Sequence, residues 1–181
     1  MSEPTASLEE TPETVELSEE LNNNAEQLHG VPVTDSRGQL VLHPSAGSYH
    51  DLIELLVEEG YDVCIDLCGA DYLGNGTRVL PASVEPERFE LIVNLLDVRT
   101  PRRLRIRVQV PESEPMVATI SGIHPGADAM EREASDMFGL CFEGHPDPTP
   151  ILLPDGWEGH PLRKDFAIGS IPVQFKAVEG R

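Results

Sequence analysis

An α+β fold is predicted for this 181-residue chain: a small, mostly antiparallel sheet with two main helices, followed by a long extended C-terminal tail. Three observations predict it. Leu104, Ile106, Val108 and Val110 alternate with Arg103, Arg105 and Arg107, the period-two pattern of a strand in a half-exposed antiparallel sheet. Two other segments carry apolar residues at helical spacing. After Gly139 the prolines and glycines are too dense for any long regular element, yet large apolar residues continue.

In chain order, residues 1–28 contain eight glutamates and no Lys or Arg, a composition that cannot bury enough surface to fold alone. They are expected to be a disordered acidic leader. Gln39–His43 is a short strand candidate. Ser48 then caps a helix through Leu52, Ile53, Leu55, Leu56 and Val57 that stops at Gly60. Tyr61 to Cys68 alternates, with Val63, Ile65 and Leu67 on one face and Asp62, Cys64, Asp66 and Cys68 on the other. A long loop punctuated by Gly74, Gly76, Pro81 and Pro86 follows. Phe89–Val98 and Leu104–Val110 form a hairpin across Arg99–Arg102, and Met116–Ile120 supplies a further edge strand.

The second helix carries the stripe Met130, Ala134, Met137, Phe138 and ends at Gly139, a left-handed C-cap candidate. Asp128 with Glu131 three positions on reads as a capping box. The α+β domain thus covers residues 38–139 and the tail 140–181. A segment that long, with no regular element yet studded with Phe142, Ile151, Leu152, Leu153, Trp157, Leu162 and Phe166, is expected to dock on a partner.

Composition excludes several functions. A formal net charge of -19 repels phosphate backbones and anionic lipid heads, which argues against nucleic-acid and direct membrane-surface binding. No stretch approaches the ~20 apolar residues of a membrane span, and Met1–Pro4 lacks the start of a signal peptide. Three cysteines, Cys64, Cys68 and Cys141, do not suggest a disulfide framework without export. The chain is expected to be cytoplasmic.

The chemistry-bearing residues are few. Three thiols without a close C-x2-C pair do not fit an iron–sulfur cluster. Glu-Gly-His-Pro occurs twice, at 143–146 and 158–161, so His145 and His160, with Cys141 or Asp147, are an alternative zinc set for a stand-alone hydrolase. The preferred reading is that each histidine bonds a backbone carbonyl and fixes its turn. In Glu131-Arg132-Glu133-Ala-Ser-Asp136, Arg132 and Asp136 are i,i+4 neighbours. Glu133 is expected to be partly buried and paired with an arginine of the 103–107 strand. No nucleophile with a base and no phosphate loop is present.

Glu131-Arg-Glu-Ala-Ser-Asp-Met-Phe-Gly139-Leu-Cys-Phe-Glu-Gly-His-Pro146 resembles the signature of the respiratory-chain NADH dehydrogenase 30 kDa subunit family. Ile151-Leu-Leu-Pro-Asp-Gly-Trp-Glu-Gly-His-Pro-Leu-Arg-Lys-Asp165-Phe resembles that family's closing segment. The family commonly has an aromatic where Ala129-Met130 stand and an arginine where Thr149-Pro150 stand. The resemblance implies the α+β C subunit of an NADH-quinone oxidoreductase, without flavin, cluster or quinone of its own. Its implied partners are the D subunit and the cluster-bearing B and I subunits, at the cytoplasmic side of the membrane. Related complexes using deazaflavin, ferredoxin or hydrogenase chemistry remain an alternative setting. By the same resemblance, Glu131, Arg132, Glu133, Asp136, Gly139, His145 and Pro146 fix the helix-to-tail geometry. Trp157, His160, Pro161, Arg163, Lys164 and Asp165 are expected to dock on the partner.

Overall fold

A computed structural model describes residues 27–167. Its strands are β1 (Gln27–Leu28), β2 (Val31–Ser36), β3 (Gln39–Leu42), β4 (Val63–Asp71), β5 (Phe89–Asp97), β6 (Arg102–Val110), β7 (Met116–Ala118) and β8 (Cys141–Glu143). The helices are α1 (Tyr49–Glu58) and α2 (Ala127–Phe138). Six strands form one sheet in the order β1-β2-β3-β6-β5-β4, antiparallel throughout except for the β3–β6 pair. The α+β class with a mostly antiparallel sheet and two main helices is therefore as expected.

The β5–β6 hairpin is the centre of the sheet. Phe89, Leu91, Val93 and Leu95 alternate with Leu104, Ile106, Val108 and Val110 across it, all fully or almost fully buried. Tyr49, Leu52, Ile53 and Leu56 of α1 and Ala127 and Ala134 of α2 join the same core. Burying each large apolar side chain is worth about 1.5–3 kcal/mol, so this face dominates the fold's stability. The opposite face is polar: Glu90, also fully buried, accepts from Arg107 at 2.6 and 3.0 Å and from Gln109 at 2.6 Å.

Several expectations are corrected. The leader boundary moves, because Gln27 and Leu28 pair with β2; residues 1–26 lie outside the described residues. The β2–β3 hairpin is an addition to the expected elements. Its two-residue turn, Arg37 (φ 57°) and Gly38 (φ 80°), has the left-handed pair that matches strand twist. β4 does not alternate as expected, because the pairing register shifts between Cys64 and Asp66. That bulge turns Cys64 towards the core and leaves Val63 and Ile65 exposed. β7 pairs in parallel with β8 in a separate two-stranded sheet, so the segment after Gly139 is not wholly irregular.

Helix starts also differ. Ser48 is the N-cap of α1, but its hydroxyl bonds Ser45 rather than the helix. α2 begins two residues earlier than expected, with Gly126 rather than Asp128 as its N-cap, so Asp128 lies in the first turn and forms no capping box. No described helix is long and apolar enough to cross a membrane.

Candidate functional site

The two quoted motifs meet where α2 ends and the tail turns back over the domain. Gly139 makes the junction possible: it sits at φ 72°, and a Cβ there would lie 2.5 Å from both His160 Nε2 and Arg163 Nη2. The chain then pairs as β8 with β7 before running along α2.

Glu131 is the most buried acid of this region, with no exposed surface. One carboxylate oxygen accepts the Ile120 N–H at 2.7 Å and the other the Thr119 hydroxyl at 2.5 Å. Burial raises its pKa, and these two bonds offset only part of that. Glu133, by contrast, is exposed, so the expected partly buried carboxylate paired with the 103–107 strand is not there. Arg107 serves Glu90 and Arg105 bonds Asn94 instead. Helical phase explains the exchange: Ala127, Glu131, Ala134 and Phe138 form one inward stripe, leaving 133 on the outer side.

Asp136 does not pair with Arg132. Its Oδ2 accepts the N–H groups of Ile151, Leu152 and Leu153 at 3.0, 2.7 and 3.2 Å, gathering the tail's apolar tripeptide around one charge. Arg132 donates to the Thr149 carbonyl at 2.8 Å and its hydroxyl at 3.0 Å, and approaches Asp147 at 3.5 Å and Asp128 at 3.8 Å. His145 Nδ1 accepts the Asp147 N–H at 3.1 Å, which leaves Nε2–H facing the Asp128 carbonyl at 3.3 Å. His160 Nδ1 meets the Asp136 carbonyl at 2.9 Å. Both histidines therefore fix turns through backbone groups. Pro146 is exposed beside the first of these turns.

The closing segment is held by this chain itself. Leu162, following Pro161, donates its N–H to Met137 at 3.0 Å. Arg163 Nε donates to the Phe138 carbonyl at 2.6 Å while its guanidinium lies 4.9 Å from the Phe89 ring. The Lys164 N–H reaches Asp71 at 2.8 Å, and Asp165 accepts from Arg88 at 2.8 Å. Trp157 stacks on Phe166 with centroids 6.5 Å apart. Sequence reasoning missed Asp71 and Arg88, the domain-side anchors. Burial alone would raise the Asp71 pKa, but Arg88 and the Lys164 and Leu73 N–H groups hold it at about 2. Arg88 is itself raised, first by Asp71 and then by Asp165.

A cavity of about 220 Å³ opens between α2 and the tail, walled by Leu140, Cys141, Phe142, His145 and His160, with Glu131 also lining it. The three zinc-set residues thus share a cavity, but among the described residues the only convergent group of possible metal ligands is His50, Asp51 and Glu54, on the outside of α1. Acids bonded to backbone N–H groups and histidines held in turns make this a junction that ties the tail to α2.

Residues 42–171 match the family described as "Respiratory-chain NADH dehydrogenase, 30 Kd subunit", and the chain belongs to that family. It is 36% identical to the C subunit of the NADH-quinone oxidoreductase of Salinispora arenicola over 81% of this chain, but spans only 58% of that relative's length. The corresponding C subunit of Bordetella petrii is 36% identical over 93% of this chain and 87% of its own. That of Sinorhizobium medicae is 39% identical over 88% and 79%. Among solved structures, a trypsin-resistant fragment of Nqo5 is 29% identical with a TM-score of 0.58, covering 74% of this chain and 98% of the fragment. A chain of the membrane-bound sulfane sulfur reductase, an archaeal respiratory membrane complex, shares the fold at 21% identity and a TM-score of 0.64, over 86% of each chain.

Proposed function

We propose that this chain is a non-catalytic peripheral-arm subunit of a proton-translocating NADH-quinone oxidoreductase. It scaffolds the quinone-reducing D subunit and the cluster-bearing B and I subunits on the cytoplasmic side of the cell membrane. NADH, flavin, iron–sulfur clusters and quinone are then bound by those other subunits, and this chain holds none.

The observation that carries the reading is the junction of the two family motifs. Asp136 and Arg132 are spent on ordering the tail, and among the residues the tail turns outward are three large apolar ones: Ile151, Leu152 and Leu162 are 44%, 55% and 51% exposed. With Ile151 and Leu152 held by the buried Asp136 carboxylate and Leu162 by the Met137 carbonyl, these residues form a preorganised patch, which lowers the ordering cost of binding. Trp157, His160, Pro161, Arg163, Lys164 and Asp165 act by shaping that patch from beneath and beside it.

A pull-down of the tagged chain from solubilised membranes, with mass spectrometry of the co-purifying chains, tests the reading. Removing residues 140–181 would also remove β8 and the core residues Leu140 and Phe142, so the better variant is L152E/L162E. Recovery of a D-like subunit and cluster-bearing subunits, lost in that variant, is expected. Recovery of the chain alone would overturn the proposal.

A further inference from the structure

Both helices pack on one side of the six-stranded sheet. Gly69, the register partner of Leu91, lies against Phe138, so α2 covers the apolar side, where α1 also packs. On the other side Arg103, Arg105 and Arg107 stand in register with Leu96, Asn94 and Ile92. The loop before β5 covers the Arg107 end: Arg107 donates to the Val79 carbonyl at 3.4 Å, and Arg78 lies 3.6 Å from Glu90. The Arg103 end is different. Arg103 is exposed, Arg105 commits only its Nε, to Asn94 at 3.0 Å, and neither has a carboxylate partner among the described residues. β3 runs parallel to β6 with Val41 beside Arg105, so the Arg37–Gly38 turn before β3 sits at this same end. Arg37 is exposed and likewise has no acidic partner among the described residues. Asp66, on the same face as Arg105, is two strands away from it in register. Three unpaired cations thus gather at one sheet end, in a chain where 32 acidic residues outnumber 13 basic ones.

The chain itself carries the complementary charge. Residues 1–26 hold eight glutamates and no Lys or Arg. They lead into β1, where Gln27 pairs with Pro32 and Leu28 with Val31. The direction of that pair brings the chain in from the Ser36–Arg37 side of β2, the end where Arg103 lies. From β1 to β6 is three strand spacings of ~4.8 Å, a span that about five extended residues cover. Glu20, Glu19 and Glu16 are all far enough from Gln27 in sequence to reach it. We propose that the acidic leader docks on the open sheet face of its own domain, with Glu16, Glu19 and Glu20 against Arg37, Arg103 and Arg105. A tethered segment acts at an effective concentration in the millimolar range, which lets ion pairs that are individually weak hold it there. A second copy is the poorer occupant, because a net charge of -19 on each chain repels the other. The leader so placed shields the open arginines from other polyanions.

The arginine Nε–H resonances of the purified full-length chain test this. Neutralising the leader in E16Q/E19Q/E20Q is expected to shift the Arg103 and Arg105 signals and to leave those of Arg88 and Arg163 in place. These substitutions lie outside the folded domain, so a failure to fold does not confuse the result. Reciprocally, R103Q/R105Q is expected to move the amide signals of residues 16–20. In about 1 M salt, where the screening length falls to roughly 3 Å, the native and leader-variant signals should coincide. Unmoved Arg103 and Arg105 signals in the leader variant overturn the docking. A shift centred on Arg163 instead, or one that vanishes on dilution and so reports contact between copies, overturns it equally. The contact is intramolecular and stands or falls independently of what the pull-down recovers.

Discussion

Asp136 accepts the Leu152 N–H at 2.7 Å, joining the last full turn of α2 to a tail residue 16 positions further on. Ile151 and Leu153 donate to the same oxygen, so a single side chain replaces the backbone partners that a strand would have supplied. Hydrogen bonds to a charged acceptor contribute about 1.5–3 kcal/mol each, and three sharing one oxygen contribute less than three times that. D136A should therefore cost about 3 kcal/mol locally. Amide exchange reads it: Ile151–Leu153 should be protected in the native chain and exchange fast in D136A, while β5 and β6 stay protected. Fast exchange at these amides in the native chain would refute the anchoring.

Gly69 sets how closely α2 approaches the sheet. A Cβ there would stand 2.6 Å from Phe138 Cδ2, well inside contact distance. G69A should cost about 1–3 kcal/mol through overpacking. In an F138L background the added cost should fall, because the clashing ring is gone, and chemical denaturation of the four variants gives the coupling directly. An unchanged cost in F138L would place the strain elsewhere.

How much of this is legible in the sequence depends on range and on phase. The β5–β6 hairpin and α1 are readable because their apolar residues repeat within a few positions. The β2–β3 hairpin carries a usable signal, an Arg-Gly pair between Val31, Val33 and Leu40, Leu42, but only its second strand stands out as an apolar run. In α2 the inward stripe includes a glutamate, and a charge in that position hides the true phase and moves the expected burial from residue 131 to 133. The tail's anchors are not legible at all. Lys164 and Asp71 are 93 positions apart, and nothing in either neighbourhood names the other. An apolar tail with dense prolines signals that it needs a surface; that much of the surface is its own domain depends on folding.

The Arg88 hub predicts an acid limb. Asp71, whose side chain is fully enclosed, is depressed to about 2, so its contribution to stability is present above the ordinary carboxylate range of ~4 and is lost as pH falls through about 2. Asp165, lowered by Arg88, adds in the same direction. Thermal melts of the native chain should decline more steeply between pH 4 and 2 than those of D71N, which starts less stable and has no such proton to take up. Parallel curves would show that Asp71 does not carry the acid transition.

His43 should act at higher pH. It is 2% exposed, with Nε2 2.8 Å from the Thr34 hydroxyl and Nδ1 without a partner. Burial, reinforced by Arg107 and partly opposed by Glu90, pushes its pKa down to about 4. The unfolded chain takes up this proton near pH ~6.5, whereas the folded chain resists until about 4. Stability from the neutral ring is therefore full above the unfolded value and falls by up to about 3 kcal/mol as pH drops to the folded one, after which it levels off. Replacing the ring with glutamine, which can still bond Thr34 but takes no proton, should flatten the stability profile in that window and leave the steeper fall below pH 4 intact. A H43Q profile with the native slope between pH 6.5 and 4 would show that another group takes up the proton.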